Sequence, residues 1–194
     1  MNKFSDSLDL SLQKAFEVIE DGVSNSKSYF HHPTLNTLDK NFIASRTVVL
    51  REFNKNKRVL RFHSDKRSEK IDQINKNSMS TVHAYDHEQK IQIKLKGTSE
   101  IHHMNNYSKE AWDQSRPMSK ECYSVADAPG KNISDPTEYD LDKSSIDVER
   151  GYENFVVILF HFSTLEFLYL QRAGHRRSLF NWSADKISKT WLIP

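Results

Sequence analysis

The sequence predicts a mainly β protein, an antiparallel barrel with helices at its ends. Three observations carry that prediction. Short runs rich in β-branched and aromatic residues recur along most of the chain. Polar turns short enough for hairpins join many of them. Only a few stretches show helical periodicity, giving roughly seven or eight strands against two or three helices.

Leu8, Leu12, Ala15, Phe16 and Ile19 recur at helical spacing, and Gly22 supplies a stop. This first helix reads as a structural one that packs its apolar face on the body. From Asn41 to Arg51 β-branched residues predict a strand, with Arg46-Thr-Val-Val-Leu-Arg51 as its framed apolar part. Asn54 to Lys57 reads as a hairpin connection and Arg58 to His63 as the returning strand. Ser68 to Asn77 carries Ile71 and Ile74 at helical spacing. Strands follow over Ser80–Tyr85 and Gln89–Glu100. In the second, Ile91, Ile93 and Leu95 alternate with Gln92, Lys94 and Lys96, and Gly97 marks a bulge or bend. Asn106 to Gln114 reads as a helix ended by Ser115-Arg-Pro117. Met118 to Arg150 is weakly patterned and acid-rich, a long loop of the kind that is often functional. The apolar run Phe155–Phe162 predicts a buried strand. Leu165–Gln171, Arg177–Trp182 and Thr190–Ile193 complete a meander, with a turn between Asn181 and Lys186.

A chain of 194 residues suits one domain over 1–194. Its 37% hydrophobic and 28% charged residues fit a globular protein. A net charge of +2 offers no global basic field for nucleic acid or an anionic membrane. The single cysteine, Cys122, excludes an internal disulfide and a Cys-rich zinc site. It also has no evident local base, which argues against a thiol nucleophile. No apolar run reaches membrane-spanning length, and aspartates interrupt the N-terminus where a signal peptide needs apolar residues. The expectation is cytoplasmic. The five glycines are too dispersed for G-x-G-x-x-G or a Walker loop, so a nucleotide-like ligand must be held without either cradle.

The corner Ser64 to Lys70 is the strongest local signal. A strand running into a Ser/Arg/Lys-rich turn that opens a helix makes an anion site, because the first helical N–H groups lack partners. Ser64, Arg67, Ser68 and Lys70 offer the donors for a phosphate. The plainer reading is a solvated loop, with Asp65 and Glu69 beside it. On an unbroken strand Arg46 and Arg51 fall on opposite faces, roughly 17 Å apart. Gln92 can donate and accept at the edge of a flavin or a base, or simply face solvent. His31-His32 and His102-His103 are adjacent pairs that point apart on a strand, so no metal is expected. His175-Arg-Arg177 after Gly174 is either a basic surface turn or a cationic clamp on an anion.

These residues together resemble the pyridoxamine 5′-phosphate oxidase-like family of FMN-binding split barrels, over nearly the whole length. Arg46-Thr-Val-Val-Leu-Arg51 is similar to the family's Arg-x-Val-Leu-Leu-Lys strand. Phe62-His-Ser-Asp-Lys-Arg-Ser-Glu-Lys-Ile-Asp-Gln-Ile74 resembles its Phe-Tyr-Thr-Asn…Ser-Arg-Lys…Gln-Ile segment. Gln92-Ile-Lys-Leu-Lys-Gly97, Ser115-Arg-Pro117, His175-Arg-Arg177 and Trp191-Leu-Ile-Pro194 follow in the family's order.

The resemblance implies a Greek-key split barrel, a homodimer, and FMN at the dimer interface. It assigns cofactor contacts to Arg46, Thr47, Val48, Val49, Leu50, Arg51, His63, Ser64, Arg67, Ser68, Lys70, Gln92 and Arg177. It assigns a small phosphorylated substrate to Arg51, Trp112, Arg116, Lys120 and His175, with Arg116 and His175 closest to the chemistry. The implied reaction is hydride transfer from pyridoxamine or pyridoxine 5′-phosphate to FMN, with reoxidation by oxygen. Several positions depart from the family pattern. Glu69 stands where the family has an arginine, Leu168 where it has a flavin-side tryptophan, Trp112 where it has a substrate tyrosine, and Lys120 where it has a serine. A further arginine of the family has only Arg172 as a candidate match. Those departures keep open an FMN-dependent reductase of another small molecule, or a flavin-binding module without turnover.

Overall fold

The computed structural model describes residues 3–139, 147–184 and 186–194. Helix α1 (Leu8–Ser24) is capped by the Ser7 side chain, which accepts from the Leu10 N–H. A hairpin of β1 (Thr34–Asp39) and β2 (Phe42–Thr47) follows, then β3 (Leu50–Asn54) and β4 (Val59–Asp65). Helix α2 (Glu69–Lys76) leads to β5 (Met79–Asp86) and β6 (Ile91–His102). Two short helices, α3 (Asn106–Asp113) and α4 (Pro117–Glu121), precede β7 (Phe155–Tyr169), β8 (Arg176–Ser183) and β9 (Lys186–Leu192).

Among the described residues nine strands form one antiparallel sheet, in the order β2-β1-β5-β6-β7-β4-β3, with β8 on β7 and β9 on β8. Strand β7 organises it. Its first half pairs with β4 and its second half with β8, while β6 pairs along both. Inward side chains from β1 and β3 to β8 meet Ala15, Val18 and Ile19 of α1 and Ile71 and Ile74 of α2 in one core. The sheet therefore wraps a common interior, as the barrel expectation requires.

Four sequence expectations are corrected. The runs Phe155–Phe162 and Leu165–Gln171 are one strand, not two. Lys96 pairs with Thr164 and Gly97 with Phe162, so Ser163 is an extra residue that reverses the alternation. Val156, Ile158 and Phe160 thus face the core before the bulge, and Leu165 and Phe167 after it. Gly97 sits opposite, where a Cβ would lie 1.9 Å from the His161 carbonyl.

The strand expected through Arg51 is broken at Val48-Val49. There the Val48 and Leu50 N–H groups bond to Pro33 and His31 carbonyls instead of continuing the hairpin. Both flanks are β-branched or apolar, so nothing in the pattern marks the break. Strand β1 was not anticipated, because Thr34-Leu-Asn-Thr-Leu-Asp39 is short and half polar. The expected loop over Met118–Arg150 contains most of α4, which opens with Pro117 in its first turn. Residues 140–146 of that loop lie outside the described residues.

A second, smaller core lies on the outer side of β7. Phe155 and Val157 point there, and Ala111 and Trp112 of α3 cover them, joined by Tyr123 and Tyr152.

Candidate functional site

Strand β4 ends at Asp65, and the turn into α2 brings two serines and a lysine together. The Lys70 Nζ lies 2.9 Å from Ser68 Oγ and 3.2 Å from Ser64 Oγ, and the two hydroxyls are 3.2 Å apart. Ser68 occupies the position before the helix, but its hydroxyl donates to the Asp65 carbonyl and does not cap the helix N–H groups. The Ile71 N–H bonds to the Ser68 carbonyl, which leaves the Glu69 and Lys70 N–H groups at the start of α2 for an anion.

Arg46 reaches the same region from β2. Its guanidinium donates to the Leu35 carbonyl, Thr37 Oγ1 and Gln73 Oε1. Thr37 in turn donates to Gln73 at 2.6 Å, so β1 and α2 jointly aim the arginine. Burial and then the charge of Arg46 push Lys70 below the ordinary lysine range, against the pull of Asp65 and Glu69. Arg46 is itself lowered by burial. Among the described residues no carboxylate lies within ion-pair distance of Lys70 or Arg46. Two half-buried cations, each beside hydroxyls and with no carboxylate in ion-pair contact among the described residues, fit a phosphate. The phosphate of FMN is such a group.

Arg67, expected among the phosphate donors, is engaged elsewhere. Its guanidinium grips Asp65 at 2.7 and 3.0 Å and donates to the carbonyls of Val125 and Ala126. It ties the corner to the segment after α4. Of the other cofactor positions, Val48 and Leu50 bury their side chains in the core, so only backbone is offered there. Val49 is half-buried and Thr47 exposed.

Arg51 is the extra residue at a register shift between β3 and β4. Its Nε is buried without a partner, as is Nε2 of His63 on β4. Burial, followed by the charges of Arg61 and Arg51, lowers the His63 pKa to about 3, so the ring is neutral at physiological pH. His63 packs edge-on against Phe155 at 4.9 Å, and Tyr123 does so at 5.1 Å. Burial pushes Tyr123 up to about 12, with Arg51 opposing. Arg51, His63 and Tyr123 thus form a polar cluster between β3, β4 and the end of α4.

The expected substrate positions are less open. Trp112 is 1% exposed, packed on Phe155, Tyr123 and Tyr152. Its expected substrate contact is therefore corrected: the ring is a core side chain. Lys120 stacks its ammonium on that ring at 5.1 Å. Arg116 is exposed at the start of α4.

The remaining positions lie elsewhere. Gln92 points away from the core residues Ile91 and Ile93, between Tyr85 of β5 and Leu168 of β7. Leu168 pairs with Arg177 of β8, which continues the row. His175 accepts from the Gln171 N–H and lines an open cleft of about 290 Å³ with Asp6, Arg177 and Trp191. Arg46, by contrast, is opposite Leu35, on the core-facing side of its hairpin. One chain therefore presents two groups of site residues on opposite faces of the sheet. The reading of the sequence missed Lys94 and Glu166: the Glu166 carboxylate accepts from both Arg177 and Lys94. A lone acid within the apolar run after the bulge was their available signal.

Residues 12–103 match the family described as pyridoxamine 5′-phosphate oxidase, FMN-binding domain. The chain resembles the pyridoxamine 5′-phosphate oxidase family. The matched domain is an FMN-binding one, and the match contains Arg46, Arg51, the Ser64–Lys70 corner and Gln92. Arg116, His175 and Arg177 lie beyond it. Among solved structures, a pyridoxamine 5′-phosphate oxidase-related, FMN-binding protein from Nostoc punctiforme superposes with a TM-score of 0.75 at 21% identity, covering 94% of this chain and 96% of that one. PhzG from Burkholderia lata, solved with tetrahydrophenazine-1-carboxylic acid, gives 0.73 at 16% identity, covering 100% and 97%. A protein from Clostridium acetobutylicum related to general stress protein 26 gives 0.55 at 11%, covering 96% of each. At these identities the likeness is one of fold. No curated protein matches the chain.

Proposed function

We propose that this chain is one FMN-dependent oxidoreductase domain over 1–194 that works as a homodimer in the cytoplasm. The observation that carries the reading is the pair of neighbouring half-buried cations, Lys70 beside Ser64 and Ser68 and Arg46 beside Thr37, with no ion-pair partner among the described residues. They hold the FMN phosphate, with the free N–H groups of α2 behind them. FMN, when bound, accepts the hydride of the substrate and passes its electrons to oxygen. The chain's own work is to bind, orient and exclude water.

The two faces support the dimer. Gln92 and Arg177 of one chain face away from that chain's own phosphate corner, so a second copy supplies them to the flavin it holds. Arg51 and the neutral His63 then lie on the flavin's substrate side as donors without internal partners. Arg116 and His175 meet the anionic end of a small phosphorylated substrate such as pyridoxamine or pyridoxine 5′-phosphate.

A second reading is favoured by Trp112 and Lys120. Both are occupied in packing, which supports a reductase of another small molecule or a flavin carrier over the oxidase. The test is the absorption spectrum after FMN is added and the excess removed, followed by oxygen uptake with pyridoxamine 5′-phosphate. Retained flavin with peroxide formation supports the oxidase. Retained flavin without turnover supports the second reading. Absence of retained flavin removes both.

A further inference from the structure

Glu166 is the least explained charged group near the site. It points outward from β7, yet it is 7% exposed, because two cations cover it. A single oxygen, Oε1, accepts from Arg177 Nε at 3.1 Å, from Arg177 Nη2 at 2.9 Å and from Lys94 Nζ at 3.0 Å. Lys94 is directly across from Glu166 in the β6–β7 register, two positions along from Gln92 on the same face. Arg177 is across from Leu168, in Gln92's own row. The carboxylate therefore fixes two cations beside Gln92. Two positive charges against one negative leave the group with one unbalanced positive charge.

We infer that Glu166 is a positioning residue that clamps Lys94 and Arg177 at the flavin edge, and that the unbalanced charge of this trio favours reduced over oxidised FMN. The inference rests on the reading that FMN is bound with Gln92 and Arg177 at its ring. Reduction adds electrons to the ring system, and a fixed positive charge nearby stabilises the negative charge that results. A clamp on one oxygen keeps that charge in place where free lysine and arginine side chains would wander.

The competing explanation is an ion-pair network that only holds β6, β7 and β8 together. Two variants separate the alternatives, because both delete the Lys94–Glu166 pair but change the charge in opposite senses. Lys94→Met neutralises the trio, and Glu166→Gln leaves both cations unbalanced while keeping an oxygen for Arg177. The measurement is the midpoint potential of bound FMN at low ionic strength, with the FMN dissociation constant and the melting temperature recorded alongside.

Lys94→Met should lower the relative affinity for reduced FMN about tenfold, a fall of about 30 mV for a two-electron couple. Glu166→Gln should raise the potential by a similar amount. Potentials that stay fixed, or move in the same direction in both variants, overturn the inference while leaving FMN binding intact. Failure of the unsubstituted protein to retain FMN overturns the underlying reading, and the inference with it.

Discussion

The corner at Ser64–Lys70 and the helical cover at Trp112–Lys120 treat their polar groups in opposite ways. In the corner, Lys70 and Arg46 are half-buried cations with hydroxyls for neighbours and, among the described residues, no carboxylate within ion-pair distance. In the cover, Lys120 lies on an aromatic face and Trp112 fills a core. An arrangement that leaves buried cations uncompensated costs stability and makes sense when an anion completes it. The cover instead packs its aromatic groups against one another, with the buried Trp112 Nε1 left without a hydrogen-bond partner, and that packing contributes to folding. The first region is shaped for a ligand and the second mainly for packing.

The largest expected effect tests the packing side. Trp112→Ala removes a fully buried indole beneath α3 and should destabilise the fold by about 3–5 kcal/mol. Denaturant unfolding should show that loss, while FMN affinity per folded molecule should change little. A variant of normal stability that fails to turn over substrate would return Trp112 to the substrate site and erase the contrast.

The corner is broken next. Lys70→Ala should weaken FMN binding by about 1.5–3 kcal/mol, the range for a hydrogen bond to a charged group, with unfolding nearly unchanged. Arg67→Ala is its control. Arg67 bonds to Asp65 and two carbonyls, so its loss should lower stability and leave FMN affinity closer to that of the parent protein. Fluorescence quenching of FMN on titration with each variant checks both. Equal weakening by the two substitutions would contradict the placement of Arg67.

How much of this was legible depends on whether the pattern is local. Ser64, Ser68 and Lys70 fall within one strand-to-helix turn, so their spacing alone brings them together. Gln92 was assigned an outward face correctly because Ile91, Ile93 and Leu95 alternate with it. Arg46 and Arg51 could not be placed, since the break at Val48-Val49 is set by bonds to the distant Pro33 and His31. The single strand β7 was read as two because a bulge and a turn both interrupt alternation. The reach of Arg67 to Val125 and Ala126, and the burial of Trp112, are tertiary facts with no local signature. The family match ends at residue 103, so it includes the corner and leaves out the cover.

His63 lies between the two regions and gives an effect of intermediate size. Its folded pKa of about 3 is below the ordinary value of 6.5, so the unfolded chain binds its proton first on acidification. The stability contributed by the neutral ring is complete above pH 6.5 and is lost as the pH falls toward 3. The slope approaches about 1.4 kcal/mol per pH unit, hence roughly 2 kcal/mol between pH 6.5 and 5. His63→Gln should flatten that part of the profile in urea melts. An unchanged acid limb would mean that the ring is not held neutral by burial beside Arg51 and Arg61.

Lys120→Met is the smallest and the most diagnostic of the cover's character. The ammonium over the Trp112 ring contributes about 0.5–1 kcal/mol, and methionine keeps most of the apolar contact. A loss of that size in stability, with substrate affinity unaltered, is expected if Lys120 is part of the packing. A many-fold rise in KM for a phosphorylated substrate at constant stability would show that the lysine leaves the ring to meet the anion. The cover would then be a second ligand-shaped region, and the contrast with the corner would be one of conformation rather than of purpose.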